Sequence, residues 1–342
     1  MRIGVLGCGY WGSKHVRVLS GLPEVEEVRV IDERADRREQ LRRAFPGVTA
    51  SPDLGHALPS IDAVVIAIPP AGHAGATLQA LRAGKHVLVE KPMATFVADC
   101  ETMIAEASAR ELVLMVGHTF EYNPAVRRLR DIIDSGELGE LFYIDTARLN
   151  LGLYQPDVNV TWDLAPHDIS IINYLLREEP ATVRASGARH AHDSLEDVSY
   201  LQLDYPTTGV DAHVHVSWLD PCKVRRVTVV GSRKMAVYND LASDERIRLY
   251  DRGVSNDGGG AAGAVHNVPF SYRYGDVVSP FIAFTEPLEA EDRHFVSCVL
   301  DGRTPQSDGR SGLAVVKVLE AAQRAMASGS EEQVSPFHAV AR

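Results

Sequence analysis

The chain is poor in cysteine, short of positive charge, and lacks any long apolar run. Its four cysteines, Cys8, Cys100, Cys222 and Cys298, are scattered over 342 residues. No pair has the spacing of a metal knuckle or a CxxC redox site. Sparse, scattered thiols suit a reducing, cytoplasmic compartment. Lys and Arg number 35 against 46 Asp and Glu, a formal charge of −11. That sign excludes a general nucleic-acid binder and a binder of anionic membranes, both of which need basic surface. A small anionic ligand stays possible, because local donors hold it. The most apolar stretch, Ala63–Pro70, is strand-sized and far short of the roughly 20 residues needed to span a bilayer. Met1-Arg2 leads straight into Ile3–Leu6 and a glycine cluster, which does not read as a secretory leader. No internal repeat is visible.

What is present is ordinary globular usage, 45% hydrophobic and 24% charged, at a length suited to two domains. The first third alternates short apolar runs with amphipathic ones. Ile3–Leu6, Val25–Ile31, Ala63–Ile68, His86–Val89 and Leu112–Val116 read as strands. Trp11–Ser20, Ala35–Phe45, Ala74–Ala83 and Val97–Ala109 read as helices. Such alternation predicts a doubly wound α/β domain with a parallel Rossmann sheet over residues 1–120. Residues 121–342 read as a second α/β domain, built on a large, mostly antiparallel open sheet. In Asp211–Trp218 polar and apolar residues alternate. Val224–Val230, Met235–Tyr238 and Arg246–Tyr250 are further strands. A helix is expected at Pro124–Asp134. Helices near Leu164–Leu176, Pro287–Leu300 and Gly312–Ala327 are expected to cover the apolar face of that sheet. Ser255–Ala264, rich in Gly and Ala, reads as a mobile loop.

Gly7-Cys8-Gly9-Tyr10-Trp11-Gly12 is a GxGxxG that follows a strand and opens a helix. Gly7 permits the tight turn, Gly9 lets backbone approach a pyrophosphate, and Gly12 lets helix and strand pack closely. The helix N-terminus offers free N–H groups to phosphate. Asp32 lies 20 residues after Gly12, where an acid binds the adenosine ribose. A carboxylate there repels a 2′-phosphate, so NAD(H) is favoured over NADP(H). Arg34, Arg37 and Arg38 follow closely; they are read as a solvated face paired with Glu33, Asp36 and Glu39.

Gly84-Lys85-His86-Val87-Leu88-Val89-Glu90-Lys91-Pro92 ends a parallel strand at the edge where ligands bind. This stretch resembles the EKP motif of the glucose–fructose oxidoreductase/inositol dehydrogenase (Gfo/Idh/MocA) family. The resemblance covers nearly the whole chain. It takes in the GxGxxG, Pro69…His73, Gly84–Ala94, Val116-Gly117-His118, Gly136-Glu137-Leu138-Gly139 and Asp163…His167. It implies a nucleotide domain followed by an α/β domain whose open sheet often forms the oligomer interface, hence a homodimer or homotetramer. It also implies catalytic roles for Lys91, Asp163 and His167. Tyr10, Trp11, Pro69, His73, Glu90, Lys91 and His118 would line the cofactor with the three glycines and Asp32. If a helix starts at Asp163, that residue and His167 share a face, and Pro166 must fall in the first turn. The unperturbed pKa of a histidine suits a general base, the role open to His167, and Lys91 can stabilise a developing alkoxide. The family pattern often has an acid three positions after the histidine. Here Ser170 stands there, and Asp168 is an acid without an assigned role.

Tyr154, Gln155 and Asn159 precede this helix and have the chemistry to bind sugar hydroxyls; an ordinary surface loop is the alternative. His213 and His215 share one strand face but lack a third ligand, so no metal is expected. The tail features, among them Trp162–Asp168, Lys223-Val224-Arg225 and Glu286-Pro287-Leu288, look most like family members that handle nucleotide-linked sugars. The expected function is hydride transfer between a nicotinamide and a secondary hydroxyl or ketone, C3 of a nucleotide-linked sugar. A free-sugar or inositol dehydrogenase, an NAD-dependent glycosidase and a non-catalytic NAD sensor are the alternatives.

Overall fold

The computed structural model describes residues 1–152, 154–155, 157–255 and 271–334. They form two compact units. The first comprises Met1–Asn123 with Thr285–Glu320; the second comprises Pro124–Phe284 with Ala321–Val334.

The first unit holds β1 (Arg2–Leu6), α1 (Tyr10–Leu19), β2 (Glu27–Ile31), α2 (Ala35–Ala44), β3 (Thr49–Ser51), the one-turn α3 (Leu54–Ala57), β4 (Ala63–Ile66), α4 (His73–Arg82), β5 (His86–Glu90), α5 (Val97–Ala109) and β6 (Leu114–Gly117). Its strands pair in parallel in the order β3-β2-β1-β4-β5-β6. Helices on both faces explain the unbroken apolar runs: all four residues of β4 are fully buried. Strand order reverses at β1 and β4, and the crevice at such a switch point is where α/β sheets bind ligands.

The second unit begins with α6 (Pro124–Asp134), β7 (Leu141–Leu151), α7 (Val160–Leu176), β8 (Thr182–Ala188), β9 (Val198–Tyr205) and β10 (Val210–Ser217). It continues with β11 (Leu219–Gly231), β12 (Met235–Asn239), β13 (Ile247–Ser255) and β14 (Ser271–Val278). After α8 (Pro287–Asp301) and α9 (Gly309–Ser328), the short β15 (Glu332–Gln333) closes the edge of a nine-stranded sheet ordered β14-β13-β12-β11-β7-β10-β9-β8-β15. Every pairing is antiparallel except β7 with β10. One face is covered by α7, which packs on β10, β7 and β9. The other is open. In β10, Val210, Ala212, Val214 and Val216 are buried while Asp211 and His213 are exposed, as period-two alternation requires. His215 stacks on Tyr200 there, and a concavity of about 680 Å³ lined by Arg184, Tyr200, His213 and Arg226 lies on this face.

Two expectations are corrected. A single cut near residue 120 does not describe the chain, because residues 285–320 return to the first unit. Consequently α8 packs on α1, not on the antiparallel sheet. Its inward face is set by buried Leu288, Phe295 and Val296 together with buried Glu291 and Asp292, whose partners lie in the first unit. The expected mobile loop Ser255–Ala264 lies outside the described residues, apart from Ser255 at the end of β13.

Candidate active site

In the first unit, the turn from β1 into α1 is closed by glycines, two of which, Gly7 and Gly12, leave no room for a side chain. Gly7 sits at φ +89°, in the left-handed region. A Cβ on Gly12 would lie 1.8 Å from the Gly7 carbonyl oxygen, whereas one on Gly9 would meet nothing within 4 Å. The backbone is therefore tight on the protein side and open beside Gly9. Helix α1 has no side-chain N-cap, so its first amides keep their hydrogen-bonding capacity. Tyr10 and Trp11 are exposed at its first turn, edge to face, with the Lys14 ammonium over the Tyr10 ring.

Asp32 is buried at the end of β2. Its carboxylate accepts from the Cys8 backbone N–H at 2.9 Å and the Arg34 N–H at 2.9 Å, which joins the glycine turn to the second strand. The arginines that follow are arranged differently from the expected solvated face. Arg34 pairs with Asp36, but Arg37 approaches Asp32 itself at 3.5 Å. Arg38 donates to the Asp32 and Glu33 carbonyls, and Glu39 pairs with Arg42 and Arg43.

At the carboxyl ends of β5 and β6 stand Glu90, the half-buried Lys91 and His118. Lys91 precedes Pro92 through a cis peptide. Its backbone N–H donates to Glu90 Oε2 at 3.2 Å. Gly117 leaves room for that carboxylate: a Cβ there would come within 3.1 Å of it. His118 is fully buried, and neither ring nitrogen has a hydrogen-bond partner among the described residues. Burial pushes its pKa down to about 4, against the pull of Glu90, so it is neutral at ordinary pH. A buried imidazole without partners is costly unless a ligand completes it. With the glycine cradle and Asp32, these residues fit a dinucleotide. Pro69 is exposed after β4. His73 departs from expectation. Its Nδ1 and Nε2 lie 2.8 Å from the carbonyl oxygens of Pro92 and Ile68, and the ring is buried. These contacts tie it to the Lys91–Pro92 turn, so its ring nitrogens are engaged by the protein.

In the second unit, Asp163 and His167 lie one turn apart on α7. The helix starts earlier than Pro166 suggested, so the proline is interior. Asn159 is the reason: its Oδ1 accepts from the Trp162 N–H at 3.1 Å and caps the helix at Val160. The Asn159 amide donates to Glu196 and Gln323 at 2.7 and 2.9 Å. Its side chain is thus spent on the fold, and the expectation of a sugar contact gives way to capping. Tyr154 packs on Trp218, ring centroids 5.0 Å apart, and donates to Asp197; Gln155 is half-buried. Trp218, which the sequence did not flag, donates its indole N–H to Asp163 Oδ2 at 3.1 Å. The only sequence trace of it is an apolar position closing the alternation of β10.

Asp168 has a structural role. Arg148 of β7 grips it through two hydrogen bonds, 2.7 and 3.2 Å, with both side chains buried. Burial raises the Asp168 carboxyl, and the guanidinium opposes it. Removing one partner of a buried pair costs about 3–5 kcal/mol. Asp168→Ala should therefore lower unfolding stability by that amount in denaturant melts and leave NADH affinity unchanged. A loss below about 1 kcal/mol would refute the structural assignment.

No group of three or more His, Cys, Asp or Glu able to hold a metal occurs among the described residues. No helix among them is long and apolar enough to cross a membrane.

Comparison with known proteins adds independent support. A family model described as an oxidoreductase family with an NAD-binding Rossmann fold matches residues 1–118. The GFO/IDH/MocA C-terminal domain model matches residues 126–237. A UDP-N-acetylglucosamine 3-dehydrogenase from Acidithiobacillus ferrooxidans is 28% identical over 325 residues, covering 92% of this chain and 94% of that protein. An inositol 2-dehydrogenase from Rhizobium meliloti is 26% identical over 342 residues, covering 96% and 97%. Among solved structures, GenD2 from gentamicin A biosynthesis in complex with NAD superposes with a TM-score of 0.82 at 25% identity, covering 98% of this chain and 97% of that one.

Proposed function

Since the chain belongs to the Gfo/Idh/MocA oxidoreductase family, we propose that it moves hydride between NAD(H) and C3 of a nucleotide-linked sugar. The coarser part needs no proposal: it is an oxidoreductase with an NAD-binding Rossmann domain. The observation that carries the finer reading is the cluster at the carboxyl ends of β5 and β6. There Lys91 stands in the same unit as an open glycine cradle and a buried, uncharged, unpartnered His118. The choice of a nucleotide-sugar leans on the UDP-N-acetylglucosamine 3-dehydrogenase relative. The inositol 2-dehydrogenase relative keeps a free cyclitol or sugar as the second reading.

NAD⁺, when bound, supplies the two-electron hydride acceptor. The chain's own groups supply the rest. His167 takes the hydroxyl proton as the carbon–hydrogen bond is lost. By the family resemblance, Lys91 is assigned a hydrogen bond to the reacting oxygen as that oxygen gains alkoxide character. Asp163, held by the Trp218 indole, orients the reacting alcohol or His167. The balance is alcohol plus NAD⁺ to ketone, NADH and one proton. Asp32 supports the cofactor preference, since its carboxylate opposes a 2′-phosphate, although Arg37 at 3.5 Å offsets part of that charge.

The test is nicotinamide absorbance with a panel of nucleoside diphosphate-sugars, the matching free sugars and myo-inositol. NADH should accumulate with a nucleoside diphosphate-sugar and not with the free sugar. NAD⁺ should exceed NADP⁺ in kcat/KM by at least about tenfold, equivalent to roughly 1.4 kcal/mol. Equal turnover of myo-inositol would sink the nucleotide-sugar reading, and equal use of NADP⁺ the cofactor preference. Substrate cleavage without net NADH would favour a glycosidase cycle, which returns the hydride.

A further inference from the structure

Behind the Lys91 turn, four elements of the first unit converge on a group of buried ionisable side chains. His15 on α1 is fully buried. Its Nδ1 lies 2.8 Å from Asp292 Oδ1 on α8, and its Nε2 lies 3.1 Å from Glu90 Oε1 at the end of β5. The other oxygen of Glu90 holds the Lys91 backbone N–H. Beside Asp292, buried Glu291 accepts a hydrogen bond from Thr119 Oγ1 at 2.8 Å, just past β6. Three carboxyl groups and one imidazole are thus out of water together.

Proton counting decides what this group is. A neutral imidazole has one N–H and one lone pair. With a carboxylate against each nitrogen, one contact would set a lone pair against an anion. With both carboxyls ionised, both contacts are satisfied only with a proton on each nitrogen; the competing arrangement, a neutral imidazole beside a protonated Asp292, is what burial of that carboxyl favours. We propose that His15 is a buried imidazolium and a positioning residue for Lys91, holding Glu90 as the carboxylate that anchors the Lys91 backbone. The proposal rests on the assignment of Lys91 to the reactive centre made above.

The electrostatics agree with the geometry. Burial alone would discharge His15, but Asp292 and Glu90 outweigh it and raise its pKa well above the usual value. Burial opposes the Glu90 charge, yet His15 and then Lys91 bring its pKa below the ordinary range. Glu291 is pushed far up by burial and by the Glu90 charge, which favours its neutral form. The charged and titratable neighbours are Glu90 and Lys91 from β5 and its turn, and Glu291, Asp292 and the more distant Glu286 from α8. His118 just after β6, His73 from α4 and, from α1 itself, Arg17, whose charge acts on Asp292, belong to the same surroundings. A histidine whose folded-state value is raised contributes stability fully present below about pH 6.5 and lost as pH climbs through the folded value.

Two measurements on the ligand-free chain of 342 residues test this, and neither needs turnover. The first is ¹⁵N-imidazole NMR of the histidine-labelled protein, with His15 assigned by its absence from His15→Gln. His15 should keep both ring protons at about pH 8, where an ordinary histidine near 6.5 has lost one. The second is acetic anhydride labelling of Lys91 in wild type and His15→Gln, read by mass spectrometry against Lys14 and Lys85. Without the imidazolium, Glu90 protonates or shifts and Lys91 loses its held environment, so its labelling should rise at least threefold relative to the references. A structural role alone would lower the melting temperature and leave that ratio unchanged. If His15→Gln does not fold, Asp292→Asn replaces it and should lower the His15 midpoint by at least one pH unit. The proposal is overturned by a His15 that titrates below pH 7, by a folded His15→Gln with wild-type Lys91 labelling, or by an unmoved midpoint in Asp292→Asn. Full turnover in a Lys91 variant would overturn the site assignment instead, so the two ideas fail separately.

Discussion

Lys91→Met is expected to fold, to bind NADH within a few-fold of wild type, and to lose roughly 10²–10³-fold in kcat with the sugar substrate. Methionine keeps the unbranched stem and its packing and removes only the ammonium. That ammonium is assigned to the oxygen whose charge develops as hydride departs, and deleting one donor of this kind costs about 10²–10³ in rate. Because the interaction is made mainly in the transition state, kcat and kcat/KM should fall together and KM should change little. Steady-state kinetics beside an NADH fluorescence titration check this. Turnover within threefold of wild type, in a variant that binds NADH, would remove Lys91 from the chemistry and revive the sensor reading. A rise in KM with kcat unchanged would make Lys91 a binding group.

The second large effect lies in the glycine turn, where two substitutions of equal size should behave differently. In Gly12→Ala the new methyl would sit 1.8 Å from the Gly7 carbonyl oxygen. Both groups are backbone-fixed, so the turn or α1 must shift. Overpacking of this kind costs about 1–3 kcal/mol, and the displaced turn should weaken NADH binding at least 100-fold, about 2.7 kcal/mol. In Gly9→Ala the methyl meets no described atom within 4 Å beyond its own chain neighbours, and the backbone there is extended with φ −78°. Its stability should match wild type while NADH binding falls about as far, because the methyl occupies the space assigned to the pyrophosphate. Thermal melts with and without NADH separate the cases: Gly12→Ala loses in both, Gly9→Ala only in the ligand-induced shift. A Gly9→Ala protein that binds NADH normally would move the dinucleotide away from this turn.

In the first unit β1, β2, β4, β5 and β6 and the helices α1, α2, α4 and α5 were legible in the sequence because their signals are local, whereas β3 and the return of α8 were not. Ile3–Leu6, Ala63–Ile66 and His86–Glu90 are short buried runs whose period and punctuation need no distant partner. Tight turns demand glycine, so Gly7, Gly9 and Gly12 declare themselves. The second unit was less legible. Strands β7, β8 and β9 were not singled out, although β7 is the strand that joins β11 to β10. Leu141–Leu151 mixes both faces and carries Arg148, whose burial makes sense only opposite Asp168 on α7. Pro166 misplaced the start of α7, since proline argues for a first turn and only Asn159, hydrogen-bonded to Trp162, shows the helix already under way.

Composition, alternation and motif spacing by themselves determined the class of each domain, the glycine turn and the candidate ribose-side acid, and the family resemblance added the candidates Lys91, Asp163 and His167. These depend on neighbours within a few residues, where chain geometry leaves few options. Tertiary structure decided which polar residues serve the fold and which are left for chemistry. It assigned Asn159 to a cap, His73 to a brace and Asp168 to a buried ion pair. It returned α8 to the first unit and set Asp292 against His15, 277 residues away. A sequence states a residue's type and its near neighbours. Whether a buried charge is satisfied depends on atoms brought within 3 Å by folding, and for these residues those atoms lie on elements far apart in the chain.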